Sequence, residues 1–354
     1  MKEHESYMWR CLQLAKLGEG SVAPNPMVGA VLVYNNKIIG EGYHQKFGAA
    51  HAEVNCINSV SESNRQSISK STLYVSLEPC SHFGKTPPCT DLIIKLAIPV
   101  VFTGCIDIYK EVSGNGIKKL QHAGIKVITG VLEKESIDLN KRFFTFHGKQ
   151  RPYIILKWAE SLDKKIAGRH GRTKISNEIT NRLVHKWRSE EAAIMIGTNT
   201  ALADDPLLTT RLWPGANPVR IVLDMNLHLP HNLKIFDKEI KTLVFNKTKQ
   251  EEDGNLVFLK IENDNIPGIV MQSLFKYGIQ SVMIEGGAKL LQSFIDSGLW
   301  DEARLICNEE LTIGEGINSP VLKSFIEVTK EKYNSDTVSC YHNTNSTLSI
   351  FASE

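Results

Sequence analysis

Apolar residues recur at helical intervals through Tyr7-Met8-Trp9-Arg10-Cys11-Leu12-Gln13-Leu14-Ala15-Lys16-Leu17 and stop at Gly18, which predicts an opening helix. Residues 30–34 and 37–42 are strand-type runs on either side of Asn35-Asn36, the pattern of a hairpin. A helical pattern returns over 51–60, residues 61–71 read as a polar connection, and Thr72-Leu73-Tyr74-Val75-Ser76-Leu77 reads as a buried strand. Helical stretches at 89–97 and 115–123 then alternate with strands at 99–104 and 126–129, which predicts an α/β domain. The polar run 147–152 is the best boundary, giving domains at 1–147 and 152–354.

The second half repeats the alternation. A strand at 153–159 is followed by a helix that Asn177 opens and that runs to about Ser189, then by strands at 192–196, 217–224 and 242–246. A strand at 280–285 passes through Gly286-Gly287 into a helix at 288–295. Residues 327–329 and 346–351, flanking Asn334-Ser335-Asp336, predict antiparallel strands that finish the sheet.

Length and composition narrow the class. The 354 residues suffice for two domains with their own cores, and 42% hydrophobic with 23% charged residues is ordinary for a globular chain. A net charge of +2 provides no bulk basic field for nucleic acid, while a small anionic substrate stays compatible. Seven scattered cysteines argue against a secreted disulfide framework and for a reducing cytoplasm. No apolar run approaches the roughly 18 residues of a membrane span, so neither export nor insertion is expected.

The chemistry gathers at His51-Ala52-Glu53, Pro79-Cys80 and Cys89. One histidine and two cysteines can ligate a tetrahedral zinc ion and leave the fourth position to water, whose pKa zinc lowers to about 7. Glu53 is the carboxylate placed to carry protons to a leaving amine. Positions i and i+2 do not share a helix face, so His51 must stand at the helix entry for both to serve one site. The cysteines stand nine positions apart, further than in the usual H-x-E…P-C-x-x-C signature, with a glycine- and proline-bearing loop that can fold back between them. A closed structural site with His82 as fourth ligand, or plain core thiols, are the competing readings.

Other residues carry two readings each. Asn25 before Pro26 is a turn former or a ligand contact, and His44 is a hydrogen-bonded loop residue that the nearby motif raises to a substrate candidate. Asp107 follows a strand end, where a polar side chain meets substrates in open α/β sheets. Lys157 is either an exposed strand lysine or part of a site. The stretch from Thr198 to Pro206 offers hydroxyls and helix amides to phosphate, or simply ends a helix. Gly286-Gly287 at a strand-to-helix turn suits phosphate approach, though such turns often hold glycine; the absence of G-x-G-x-x-G does not support a Rossmann domain.

With these motifs on the page, the chain resembles the bifunctional riboflavin-biosynthesis deaminase/reductase family over nearly its whole length. The resemblance rests on Asn25-Pro26-Met27-Val28-Gly29, His51-Ala52-Glu53, Glu78-Pro79-Cys80-Ser81-His82, Gly84-Lys85-Thr86-Pro87-Pro88-Cys89 and Val112-Ser113-Gly114-Asn115-Gly116. In the second half it rests on residues 157–163, 202–211 and Glu285-Gly286-Gly287-Ala288. It implies a cytidine-deaminase-like three-layer α/β domain and a dihydrofolate-reductase-like α/β domain. By resemblance His51, Cys80 and Cys89 bind zinc, Glu53 shuttles protons, and Asn25, His44, Lys85 and Asp107 lie near the substrate. The implied second cofactor is NADPH, near Ala159, Thr200, Asp204 and Gly287. Thr173, Arg188, Leu208, Arg211 and Glu285 fall at substrate positions, the arginines suiting a ribose phosphate, and Lys157 or Asp204 handles protons.

Four positions depart from the family pattern: Lys164 stands where a glycine is frequent, Ile175 where tryptophan is, and Ile108 and Tyr109 where proline and asparagine are. The expected activity is zinc-dependent hydrolytic deamination of a diaminopyrimidinone ribosylamine phosphate, followed by NADPH-dependent reduction of its ribosyl group to ribityl. The partners expected are this small pyrimidine ribotide and further copies of the chain in a homo-oligomer, with no nucleic acid or membrane. The alternative is a zinc deaminase of another nucleoside or an RNA base with a non-reductase second domain.

Overall fold

The computed structural model describes residues 2–84, 87–109, 113–169, 173–262 and 265–346. The chain divides into two compact units, Met1–Lys149 and Gln150–Glu354.

In the first unit, α1 (Lys2–Lys16) precedes the hairpin β1 (Gly29–Tyr34) and β2 (Lys37–Tyr43), and α2 (Ala52–Asn58) leads to β3 (Thr72–Leu77). Then come α3 (Cys89–Lys95), β4 (Val100–Cys105), α4 (Asn115–His122), β5 (Lys126–Ile128), α5 (Glu133–Leu139) and α6 (Lys141–Lys149). The sheet order is β2-β1-β3-β4-β5, with β1 antiparallel to both neighbours and β3, β4 and β5 parallel. Strand residues alternate between two cores. Val31, Val33, Tyr74 and Phe102 pack with Met8, Cys11 and Leu14 of α1, whereas Leu32, Leu73, Val75 and Val101 pack with Ala52, Cys56, Ile93 and Leu120 from α2, α3 and α4. Helices therefore cover both faces, giving three layers. The segment expected as a polar connection is the 3₁₀ helix Glu62–Lys70, and His147-Gly148-Lys149, expected as a boundary loop, ends α6.

Close backbone approach fixes α2. A Cβ on Gly42 would lie 2.2 Å from the Cys56 amide nitrogen, and one on Gly40 2.6 Å from the Cys56 carbonyl oxygen. Only glycine lets β2 pass this near to the helix.

The second unit opens with β6 (Tyr153–Ser161) and β7 (Lys165–Gly168), then α7 (Glu178–Glu190), β8 (Ala193–Gly197), α8 (Thr198–Asp204) and β9 (Val219–Leu223). It continues through β10 (Thr242–Asn246), β11 (Glu251–Asp253), β12 (Leu256–Lys260), α9 (Ile266–Lys276), β13 (Ser281–Glu285) and α10 (Ala288–Asp296). The last strands are β14 (Glu302–Asn308), β15 (Gly316–Asn318), β16 (Phe325–Tyr333) and β17 (Asp336–Asn343). Ten of these strands form one sheet in the order β11-β12-β10-β9-β8-β13-β6-β14-β17-β16. Those from β12 to β14 in that order run parallel, and the flanking β11, β17 and β16 are antiparallel to their neighbours. Central strands are buried on both faces: Ile154, Met195 and Ile284 enter one core, Ile155, Ile194 and Met283 the other. That double burial explains their nearly continuous apolar sequences.

The N-cap is as expected, since the Asn177 side chain accepts from the Ile179 and Thr180 amides. The closing hairpin differs. Its turn is at Asn334-Ser335, but the return strand is residues 336–343; of 346–351, expected as a strand, Ser346 ends a 3₁₀ turn and the rest lie outside the described residues.

Gly42→Ala should lower stability by about 1–3 kcal/mol, because the added methyl meets backbone rather than a flexible side chain. Urea unfolding checks this; a variant as stable as the parent would contradict the packing argument.

Candidate active sites

His51 is the N-cap of α2, with extended backbone (φ −73°, ψ 167°), so its imidazole leaves the helix axis while Glu53 points from the first turn. This resolves the i, i+2 problem. Cys80 follows β3 and Cys89 begins α3, and the loop between them folds back as its composition suggested. The His51 Nδ1 lies 3.5 Å from the Cys80 Sγ and 3.4 Å from the Cys89 Sγ. Among the described residues this is the one group of three or more potential ligands, with all donor atoms within 4.8 Å of one another; His82 is not part of it.

The donor chemistry fits zinc. The hydrogen bond between the two thiols lowers Cys80 to about 4 against the opposing effect of burial, and the same bond raises Cys89. A ready thiolate beside an imidazole is what a borderline-soft cation requires. His51, Cys80 and Glu53 line a cavity of about 340 Å³, so the ligand group faces a space that can hold a substrate. Glu53 is only 3% exposed, and burial, followed by the Cys80 charge, pushes its carboxyl up. A raised carboxyl pKa suits a group that both takes and returns a proton.

The cavity wall brings in Asn25, His44 and Asp107. His44 Nδ1 lies 3.0 Å from the Ala50 carbonyl, which can only accept, so Nδ1 carries the proton; Nε2 then accepts from the Asn25 amide at 3.1 Å. Asp107 is buried, and burial raises its carboxyl to about 7 although the Tyr109 amide donates to it at 2.8 Å. Lys85 lies outside the described residues.

Residues that sequence reasoning missed also appear here. Glu78, quoted only as part of a motif, is a buried carboxylate that accepts from the Asp107, Gly114, Gly116 and Ile117 amides at 3.2, 2.9, 2.9 and 3.3 Å. It joins the end of β3 to the start of α4 and fixes the backbone that carries Asp107. Phe143 and His147, one turn apart on α6, line the cavity with their ring centroids 4.5 Å apart. Their i, i+4 spacing was the available signal. Tyr109, one of the departures, also lines the cavity and meets His147 edge-on at 5.1 Å.

In the second unit, β6, β8 and β13 are neighbours although the chain visits them out of order, and such crossings place ligands at strand carboxyl ends. Glu285 ends β13 and takes a bidentate pair from Arg188 of α7, Nε to Oε1 at 2.9 Å and Nη2 to Oε2 at 2.7 Å. Burial alone would raise the Glu285 carboxyl, but Arg188 and Lys157 hold it down at about 2. Lys157 is partly buried rather than an exposed strand lysine; burial lowers its pKa, with Glu285 opposing and Arg188 assisting.

Gly286 and Gly287 both have φ 63°, and a Cβ on Gly287 would stand 2.8 Å from the Thr200 hydroxyl. Thr200 therefore packs over the diglycine backbone at the entry of α10, so its hydroxyl and the first helix amides could meet a phosphate together. Asp204 closes α8, and Ala159 lies on β6 against the core. Arg211 is exposed, its guanidinium donating to the Thr209 hydroxyl at 2.9 Å. Leu208 is buried with a left-handed backbone (φ 55°). Thr173 accepts from the Gly168 amide at the end of β7.

One departure has a physical explanation, and Ile175 has none beyond its place in the core. Lys164 has φ 61°, the conformation glycine adopts without cost, and its amine pairs at 2.5 Å with the buried Glu160. Ile175 is buried, and its carbonyl accepts from Asn308 at 2.7 Å.

Residues 1–105 match the family model described as the cytidine and deoxycytidylate deaminase zinc-binding region, and residues 152–320 match the RibD C-terminal domain. The chain is 40% identical over 342 residues to the riboflavin biosynthesis protein RibD of Aquifex aeolicus, covering 93% of this chain and 94% of that protein. Its structure is similar to that of a diaminohydroxyphosphoribosylaminopyrimidine deaminase/5-amino-6-(5-phosphoribosylamino)uracil reductase from Thermotoga maritima, with a TM-score of 0.88 and 36% identity over 97% of this chain and 99% of that one. Acinetobacter baumannii RibD is similar at a TM-score of 0.88 and 32% identity, over 96% and 99%.

Because the Glu285 carboxyl is depressed to about 2, its contribution is present above the unfolded value of about 4.3 and lost as pH falls toward 2. Wild type should exceed Glu285→Gln in unfolding free energy by about 3 kcal/mol at pH 7 and by about half that at pH 3. Urea titrations at both pH values measure this, and a constant difference would contradict it.

Proposed function

The chain belongs to the RibD family of bifunctional riboflavin-biosynthesis deaminase/reductases, and from this we propose which of its side chains carry each reaction. The enzyme deaminates 2,5-diamino-6-ribosylamino-4(3H)-pyrimidinone 5′-phosphate hydrolytically with zinc and then reduces the ribosyl group to ribityl with NADPH. We assign the first step to residues 1–147 and the second to residues 152–354. The nucleoside or RNA-base deaminase alternative is not favoured, because the second unit matches the RibD C-terminal domain.

The observation that carries the deaminase assignment is the convergence of His51, Cys80 and Cys89, two of which, His51 and Cys80, line a cavity that also contains buried Glu53. These three residues would hold the zinc, which when bound supplies a Lewis acid that acidifies water. Glu53 takes the proton of the attacking water and passes it to the ring nitrogen, then takes the hydroxyl proton of the tetrahedral adduct and delivers it to the departing amine as the carbonyl forms. Asn25, His44, Lys85 and Asp107 bind the pyrimidine and its substituents. The neutral Nδ1–H form of His44 supports this, since it leaves the Asn25 amide in a defined orientation.

In the reductase, NADPH when bound supplies the hydride. Thr200 and Gly287 would hold it, with Ala159 and Asp204 beside them; the close approach of the Thr200 hydroxyl to the diglycine backbone supports this. Arg188 and Glu285 orient the sugar, Arg211 meets its phosphate, and Thr173 and Leu208 complete that side. Lys157 handles the proton that balances hydride addition, a role favoured by its burial beside Glu285.

The substrate is a small molecule. We place the enzyme in the cytoplasm as a homo-oligomer, acting without nucleic acid or membrane. The seven free cysteines favour a reducing compartment, and among the described residues no helix is long and apolar enough to cross a membrane.

Glu53→Gln should retain zinc, lose ammonia release by at least about a hundredfold, and still reduce the deaminated intermediate. Metal analysis with an ammonia assay tests this. Wild-type ammonia release from the variant would contradict the assignment.

A further inference from the structure

The stretch Thr209-Thr210-Arg211 lies between α8 and β9, outside both helix and sheet, so its backbone has no ladder to hold it. Side chains hold it instead. The Thr209 carbonyl accepts from the Arg188 Nη1 at 3.3 Å, the Thr210 amide donates to the Asn217 Oδ1 at 2.8 Å, and the Arg211 amide donates to the His185 Nδ1 at 3.0 Å. Arg188 and His185 stand three positions apart on α7, on one face of the helix. Arg188 is also bound to Glu285, so one turn of α7 joins the end of β13 to this segment.

The His185 bond has a defined chemical requirement. A backbone N–H only donates, so Nδ1 must keep its lone pair, and the imidazole must be neutral with its proton on Nε2. His185 is 2% exposed. Burial first, and then the charges of Arg188 and Arg211, push its pKa down to about 4, with Glu285 opposing. The neutral form therefore persists throughout the ordinary working range.

We propose that His185 is a positioning residue of the reductase: its neutral Nδ1 anchors the Arg211 backbone, so that the guanidinium meets the 5′-phosphate of the ribotide in one fixed orientation. The inference rests on the reading of Arg211 as the phosphate contact. Arg188 acts on the same segment from its other end, which makes α7 a two-point clamp on the phosphate-binding side of the site.

The test uses the full-length, zinc-loaded enzyme in steady-state reductase assays, with the deaminated ribotide and its dephosphorylated counterpart as substrates. His185→Phe keeps the ring volume and removes the acceptor, and His185→Asn returns an acceptor at the δ position. The expected result for His185→Phe is a KM for the ribotide raised about tenfold, with kcat and the KM for NADPH within twofold of wild type. Its preference for the phosphorylated substrate should shrink by the same factor, and His185→Asn should recover most of the loss. An unchanged ribotide KM, or a KM for NADPH that rises equally without recovery in His185→Asn, would overturn the proposal. If His185→Phe does not fold, His185→Leu is read in the same way. Arg211→Ala separates the two readings. Lost phosphate preference in that variant but not in His185→Phe overturns the positioning role alone; retained preference in both overturns the phosphate reading and this inference together.

Discussion

The deaminase site depends on how near β2 can come to α2. With glycine at positions 40 and 42, the strand lies against the helix backbone at distances that a methyl group would violate. The helix entry is thereby fixed, and with it His51 as N-cap and Glu53 in the first turn. The cysteines arrive from the opposite side, at the end of β3 and the start of α3, both built on the same sheet. Four functional side chains from three elements meet because the helix cannot retreat from the strand. Rigid elements hold a reacting group more precisely than loops do.

The second unit solves a different problem, the burial of charge. Glu285 at the carboxyl end of β13, Lys157 beside it in mid-β6 and Arg188 on α7 are drawn together where desolvation works against each charged form. Mutual attraction restores ionisation, and bidentate geometry gives the Arg188–Glu285 pair a single orientation. Such a group is expensive to bury without a function, and it lies beside the diglycine turn that follows β13. Glu78 in the first unit shows the other way to keep a carboxylate buried: backbone amides, rather than a cation, satisfy it.

Much of this was legible in the sequence because the controlling features are local. The doubly buried strands advertise themselves as apolar runs, and Asn177 marks the start of α7 by its capping chemistry. His51, Glu53, Cys80 and Cys89 carry a spaced motif whose chemistry is recognisable before folding. β14 was hidden, because it buries Glu302 and Arg304 and so lacks the apolar signature of its neighbours. Residues 147–152 read as a polar boundary run, yet His147-Gly148-Lys149 end the helix Lys141–Lys149 that brings His147 to the cavity. The roles of Glu78 and His185 could not be read either, since each is defined by backbone amides far away in sequence. Lys164 shows the reverse case, a departure from pattern that the fold absorbs through a left-handed backbone and an ion pair with Glu160.

The central claim is that one chain carries two successive reactions on one ribotide. It is tested most directly by mass spectrometry of the products formed when the purified, zinc-loaded protein is incubated with the diaminopyrimidinone ribotide, with and without NADPH. The account predicts the deaminated ribosyl compound without NADPH and the deaminated ribityl compound with it. Unchanged substrate under both conditions, from protein shown to contain zinc, would contradict it.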